Sequence, residues 1–148
     1  MDASEKIILV VEDNPVDEKI TLRALEKRNV VNRIVVARDG EEALECLFGT
    51  SDGAEAPLLP LPQVVLLDLK LPKVDGLEVL RRIRSDERTK RLPVVILTSS
   101  DEERDILQSY SLGVNSYVRK PVNFDQFSEA VAEIGLYWLA LNTAPKLT

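Results

Sequence analysis

The sequence predicts an α/β domain in which a parallel sheet of five strands is wound on both faces by helices. Three observations predict it. Five short apolar runs recur along the 148 residues, each followed by a segment with helical periodicity. The central runs are continuously apolar rather than alternating, as strands buried on both faces require. Four of the five runs end in a polar residue, and in a parallel sheet all of those ends point to one edge.

The first run, Ile7-Ile8-Leu9-Val10-Val11, closes at Glu12-Asp13-Asn14-Pro15, where Asn14 can cap a helix that has Pro15 at its first position. That helix carries Ile20, Ala24 and Leu25 inward and is expected to end near Asn29. Arg33 to Ala37 is the second strand, with Ile34-Val35-Val36 as its centre. Asp39-Gly40-Glu41-Glu42 then starts a second helix as a capping box, with Ala43, Leu44 and Leu47 at helical spacing. Gly49 to Pro62 holds Pro57, Pro60 and Pro62 and is a long loop. The third strand is Val64-Val65-Leu66-Leu67, ending at Asp68. Asp75-Gly76 opens a third helix whose apolar face is Leu77, Leu80 and Ile83, with Val79 beside them. Pro93 to Thr98 is the fourth strand. Ser100-Asp101-Glu102-Glu103 matches a capping box for a fourth helix containing Ile106, Leu107 and Tyr110 and closed by Gly113. Asn115 to Val118 is shorter and more polar, as an edge strand should be, and Asn123 caps a last helix.

Composition narrows the chemistry. A net charge of −6 argues against a phosphate-backbone partner. No apolar run approaches the roughly 18 residues of a membrane span, and Met1-Asp2-Ala3-Ser4-Glu5-Lys6 lacks a signal-peptide pattern, so the cytoplasm is the expected location. The single cysteine, Cys46, allows no internal disulfide and reads as helix filler. Histidine is absent, which removes Ser-His-Asp and Cys-His catalysis and histidine-based zinc sites. Arg81-Arg82 through Arg91 is locally basic, but Asp86 and Glu87 interrupt it, so it reads as a solvated helix face.

The strand ends are Glu12-Asp13, Asp68, Thr98 and Lys120. Each alone could be a solvated loop, a cap or a surface charge; their common edge is what singles them out. Carboxylates about 4 Å apart repel by roughly 4 kcal/mol at an effective dielectric of 20, and Lys120 alone does not neutralise three of them. A hard divalent cation does. The pattern therefore predicts Mg²⁺ held by Asp13 and Asp68 with the backbone carbonyl of Lys70, and Glu12 acting through water. A carboxylate beside a metal and a lysine suits phosphoryl transfer, with Asp68 attacking phosphorus to form an acyl phosphate.

Four separately spaced motifs now bear on the identity of the domain: Val11-Glu12-Asp13-Asn14; Leu67-Asp68-Leu69-Lys70-Leu71-Pro72-Lys73-Val74-Asp75-Gly76; Leu97-Thr98-Ser99; and Tyr117-Val118-Arg119-Lys120-Pro121. With them the chain resembles the receiver domain of two-component response regulators, over about residues 6 to 135. The resemblance implies the CheY-like, flavodoxin-like strand order 2-1-3-4-5. It implies that Asp68 accepts a phosphoryl group from a sensor histidine kinase, that Lys120 contacts the phosphoryl oxygens, and that the Lys120–Pro121 bond is cis. Thr98 and Tyr117 match the switch hydroxyl and switch aromatic: Thr98 would move toward the phosphoryl group and Tyr117 would turn into the vacated space. The signal would then surface on the fourth helix, fifth strand and fifth helix, with phosphate biasing two pre-existing states.

Competing readings lack a residue each. A phosphatase of the haloacid-dehalogenase kind needs a second aspartate two positions after the nucleophile, where this chain has Lys70. A mononucleotide binder needs a phosphate-cradling loop, and Glu12-Asp13-Asn14-Pro15 has the wrong sign. A phosphate-independent receiver-like adaptor would be expected to have lost a key residue, and none is missing. Residues 136–148 are expected to be a helix extension and tail with no output domain, so the output is a protein contact, a downstream phosphorelay or effector protein. Phe127, Val131, Ile134, Trp138 and Leu141 form one apolar stripe, with Leu136, Tyr137 and Leu139 off it. An end apolar nearly all round predicts a homodimer through the last helix and the fourth-helix/fifth-strand face. The segment Gly135-Leu136-Tyr137-Trp138-Leu139 and the proline-rich loop also resemble the single-domain regulators paired with bacterial phytochrome histidine kinases.

Overall fold

The computed structural model describes residues 6–27, 33–50 and 52–143. Five strands, β1 (Ile7–Val11), β2 (Arg33–Ala37), β3 (Val64–Leu67), β4 (Val94–Thr98) and β5 (Ser116–Arg119), pair in parallel in the order β2-β1-β3-β4-β5. Helices α1 (Pro15–Glu26), α2 (Gly40–Phe48), α3 (Gly76–Ser85), α4 (Glu103–Ser111) and α5 (Phe124–Leu136) follow the strands in turn. The order of elements and the strand order are those expected.

Period-two alternation divides the core. Ile7, Leu9, Val11, Val65 and Leu67 face one way and pack with Cys46, Leu47, Val79, Leu80 and Ile83 of α2 and α3. Ile8, Val10, Val64 and Leu66 face the other way, onto Ala24 and Leu25 of α1 and Phe127 and Val131 of α5. Every residue of β1, β3 and β4 is buried, so a continuous apolar run is what these strands must have. The two edge strands, β2 and β5, are only partly buried.

The caps match the expectation in four helices of five. Asn14 accepts from the N–H groups of Val16 and Asp17, Asp39 from Glu42, Asp75 from Glu78 and Asn123 from Gln126. The fourth does not form its box. Glu102 occupies the N-cap without a side-chain bond, and Ser100, two residues earlier, donates its hydroxyl to Asp105 at 2.6 Å while accepting the Glu102 N–H at 3.3 Å. Helix α4 buries Asp105 and Ser109, while Leu107 and Tyr110 lie in solvent. Helix α1 is described to Glu26, and Asn29 falls outside the described residues.

Two local expectations are corrected. The Lys120–Pro121 peptide is trans, the isomer that an X–Pro bond favours by about 0.5–1 kcal/mol. The last helix does not keep α-helical period to its end: Tyr137–Leu141 form one turn of π-helix, which shifts the register. Leu139, off the predicted stripe, is buried beside α1, and Leu141, on the stripe, is exposed. The Lys6 ammonium donates to the Leu139 carbonyl at 2.7 Å and ties this turn to the start of β1.

Candidate functional site

The site forms where the winding reverses. From β1 the chain passes to β2 on one side and later returns as β3 on the other, and the crevice beyond the carboxyl ends lies between β1 and β3. The register sets Val11 opposite Leu67, and the Asp68 N–H donates to the Val11 carbonyl at 3.1 Å, so the acids after each strand emerge side by side. Thr98 is the last residue of β4, paired with Arg119, and its carbonyl accepts the Lys120 N–H at 2.7 Å. The expected residues Glu12, Asp13, Asp68, Thr98 and Lys120 therefore converge.

Carboxylate oxygens of Glu12, Asp13 and Asp68 lie within 4.8 Å of one another. Glu12 and Asp68 are buried and Asp13 is exposed. On Asp68, Oδ1 accepts from the Thr98 hydroxyl at 2.8 Å and from the Lys70 N–H at 3.3 Å, and Oδ2 accepts from the Lys120 ammonium at 2.9 Å. Glu12 accepts from Lys120 at 2.7 Å and, through its other oxygen, from the Asn14 N–H at 3.1 Å. Burial pushes the Glu12 carboxyl up to about 7, and Lys120 only partly opposes it. Burial also works against the charge of Lys120, but hydrogen bonds to Glu12, Asp68 and Asp17 outweigh it and hold the ammonium above the ordinary lysine value.

Loop geometry fixes the approach to Asp68. The Cβ that an alanine would add at Gly76 meets the Asp68 carbonyl oxygen at 2.2 Å, so only glycine lets α3 begin against that backbone. A cleft of about 330 Å³, lined by Asp13, Lys70, Leu71, Pro72, Asp75 and Asp105, opens beside the acids. The Lys70 side chain leaves the acid cluster and reaches Asp105 at 3.4 Å.

Two features went unpredicted. Asp17 joins the cluster, its Oδ2 at 2.9 Å from the Lys120 ammonium. Its signal was its place in the first turn of a helix that starts at the sheet edge. The second is a relay behind the site: Lys70 and Ser100 both reach Asp105, and the Tyr117 hydroxyl donates to the Ser100 carbonyl at 2.9 Å. Ser100, joined by Lys70, holds the Asp105 carboxyl below its usual range. Tyr117 thus stands apart from the acids, already half-buried and packed on the core, and Thr98 already touches Asp68.

The donor set suits a hard divalent cation. Among the described residues the site gathers four carboxylates, Glu12, Asp13, Asp17 and Asp68, around the Lys120 ammonium, their ligand atoms are oxygen, and the exposed Asp13 leaves an open side.

Comparison with known proteins agrees with this geometry. The family model of the response regulator receiver domain matches residues 8–132. The chain is 45% identical over 139 residues to the probable methanogenesis regulatory protein FilR2 of Methanothrix harundinacea, covering 94% of this chain and 87% of that protein. It is 38% identical over 140 residues to response regulator Rcp1 of Synechocystis, covering 95% and 93%. The crystal structure of the Mn²⁺-bound form of Rcp1 matches with a TM-score of 0.86 at 37% identity, over 95% of this chain and 99% of that one. The phosphorylated cyanobacterial phytochrome response regulator RcpA matches with a TM-score of 0.84 at 42% identity, over 96% and 99%. With its sheet order, its acidic crevice and a match over most of its length, the chain belongs to the response regulator receiver domain family of signalling proteins.

Proposed function

We propose that the chain is a single-domain response regulator in which Asp68 accepts a phosphoryl group from a sensor histidine kinase. The observation that carries the assignment is Asp68 itself: a buried carboxylate with one oxygen on the Thr98 hydroxyl and the other on the Lys120 ammonium. An Asp68 oxygen attacks phosphorus, the new O–P bond forms, and the N–P bond to the donor imidazole breaks, leaving its electron pair on the nitrogen. Lys120 and Thr98 offer N–H and O–H donors to the oxygens that gain charge. Asp13, Asp68 and the Lys70 carbonyl are the proposed Mg²⁺ ligands, with Glu12 reaching the ion through water. Bound there, the ion neutralises the acids and screens the incoming phosphoryl charge.

The same reading makes the chain a switch rather than a turnover enzyme. Position 70 carries a lysine, committed to Asp105, in place of the acid that would shuttle protons to and from a leaving group. Thr98 and Tyr117 transmit the state of Asp68 to α4, β5 and α5, and Leu107 and Tyr110 are the apolar residues that α4 presents there. We read residues 6–135 as the receiver and 136–148 as its helical extension and tail, with homodimerisation through the last helix and the α4–β5 face. A cytoplasmic site of action goes with this reading. The likeness to RcpA, a cyanobacterial phytochrome response regulator, favours a phytochrome kinase as the donor.

Incubation with acetyl phosphate and Mg²⁺, followed by intact mass, tests the assignment. One phosphoryl group per chain is expected, absent in Asp68→Asn and after chelation. Labelling of Asp68→Asn at the wild-type rate would sink it. Transfer profiling against purified kinases, phytochromes included, identifies the donor, and light scattering with and without beryllofluoride tests the dimer.

A further inference from the structure

A lysine ammonium has three N–H donors, and those of Lys120 are matched by three carboxylates: Glu12 at 2.7 Å, Asp17 at 2.9 Å and Asp68 at 2.9 Å. An ammonium so occupied must give up a partner before it can donate to an incoming phosphoryl oxygen. The three are not equally free to leave. Asp68 is the group that reacts. Glu12 is 4% exposed at its side chain and has its other oxygen on the Asn14 N–H, so releasing it strands a buried carboxylate. Asp17 is 23% exposed and stands in the first turn of α1, where the helix N-terminus favours a carboxylate, so it turns out to water at least cost.

We propose that Asp17 is a positioning residue for phosphoryl transfer, parking the Lys120 ammonium over Asp68 at rest and yielding it to the phosphoryl oxygens on arrival. The proposal rests on the phosphoacceptor reading and deepens it: Asp17 sets the threshold for anion entry. Its charge acts with opposite sign on the two ligands of the crevice, opposing the phosphoryl anion while adding to the attraction for the cation. A residue with a merely structural role would not split the two.

The test compares wild type, Asp17→Asn, Asp17→Glu and Glu18→Gln, the last being a neighbouring acid paired with Arg38 away from the cluster. Beryllofluoride binding is followed by fluorine NMR at saturating Mg²⁺, and Mg²⁺ binding alone by calorimetry. Asp17→Asn is expected to bind beryllofluoride about tenfold more tightly while binding Mg²⁺ no more tightly than wild type. Asp17→Glu should return the anion affinity to wild type, and Glu18→Gln should leave both affinities unchanged. Unchanged or weaker anion binding in Asp17→Asn overturns the proposal, as does an equal gain in Glu18→Gln. Failure of the underlying reading is separate: it is read from covalent labelling of Asp68→Asn, which does not depend on position 17.

Discussion

Replacing Lys120 by methionine keeps the length of the side chain and removes the ammonium that, among the described residues, pairs with Glu12, Asp17 and Asp68. Each of its ion pairs, at 2.7–2.9 Å, has a gross attraction of about 6 kcal/mol at an effective dielectric of 20, most of it offset by desolvation of an ammonium whose side chain is 6% exposed. What the substitution leaves is costlier than the pairs it breaks: Glu12 and Asp68 face each other, buried, with carboxylate oxygens within 4.8 Å and no counter-charge. Removing one partner of a buried pair costs about 3–5 kcal/mol. Burial already pushes the Glu12 carboxyl up, and losing the opposing Lys120 pushes it further, so Glu12 can take a proton and relieve part of this, which sets the expected loss at about 3 kcal/mol, the lower end of that range, at pH 8 in the absence of divalent cations. For a domain of this size that is a fall in Tm of about 10 °C. Thermal melts in chelator, then with increasing Mg²⁺, check it: the ion should replace the missing charge and narrow the gap to under about 1 kcal/mol. A Lys120→Met protein as stable as wild type in chelator, or one that Mg²⁺ does not rescue, would refute the electrostatic reasoning.

Glu12 also makes the metal-free protein pH-sensitive. Its folded pKa, about 7, lies above the ordinary 4.5, so the folded state holds the extra proton between those values and stability falls as pH rises through that window. The loss should be about 2–3 kcal/mol between pH 4.5 and 7.5 by denaturant titration in chelator, and Glu12→Gln should flatten it. Gly76→Ala sets a Cβ into the Asp68 carbonyl and the Leu69 Cα, both backbone, so a loss of about 2–3 kcal/mol and slower phosphorylation are expected together from melts and labelling. Cys46 is buried, and burial, joined by Glu42 and Glu45, raises its thiol pKa, so alkylation at pH 8 should be slow in the folded protein and complete in denaturant.

The parts of the fold legible in the sequence were those fixed by local pattern. Apolar runs such as Val64–Leu67 and caps such as Asn14 and Asp75 carry their structure in adjacent residues, and the strand-end acids followed from topology. What escaped depends on competition between distant partners. Ser100 looked like an N-cap, yet the helix starts later, at Glu103, and the Ser100 hydroxyl donates to the Asp105 carboxylate that Lys70 also reaches while its oxygen accepts only the Glu102 N–H at 3.3 Å. The last turn looked α-helical, yet burial of Leu139 against α1 goes with an extra residue in the turn. Asp17 was missed because its meaning lies 103 residues away, at Lys120.

That separation has a consequence for how the protein is made. The acids come from the first and third strands, but the cation that balances them follows the fifth, 52 residues beyond Asp68. A chain still emerging from the ribosome can carry every carboxylate of the crevice and yet lack the residue that neutralises them. On the phosphoacceptor reading, a chain truncated before β5 carries Asp68 without the Lys120 ammonium and should take up no phosphoryl group, a result that labelling of the truncated chain would check.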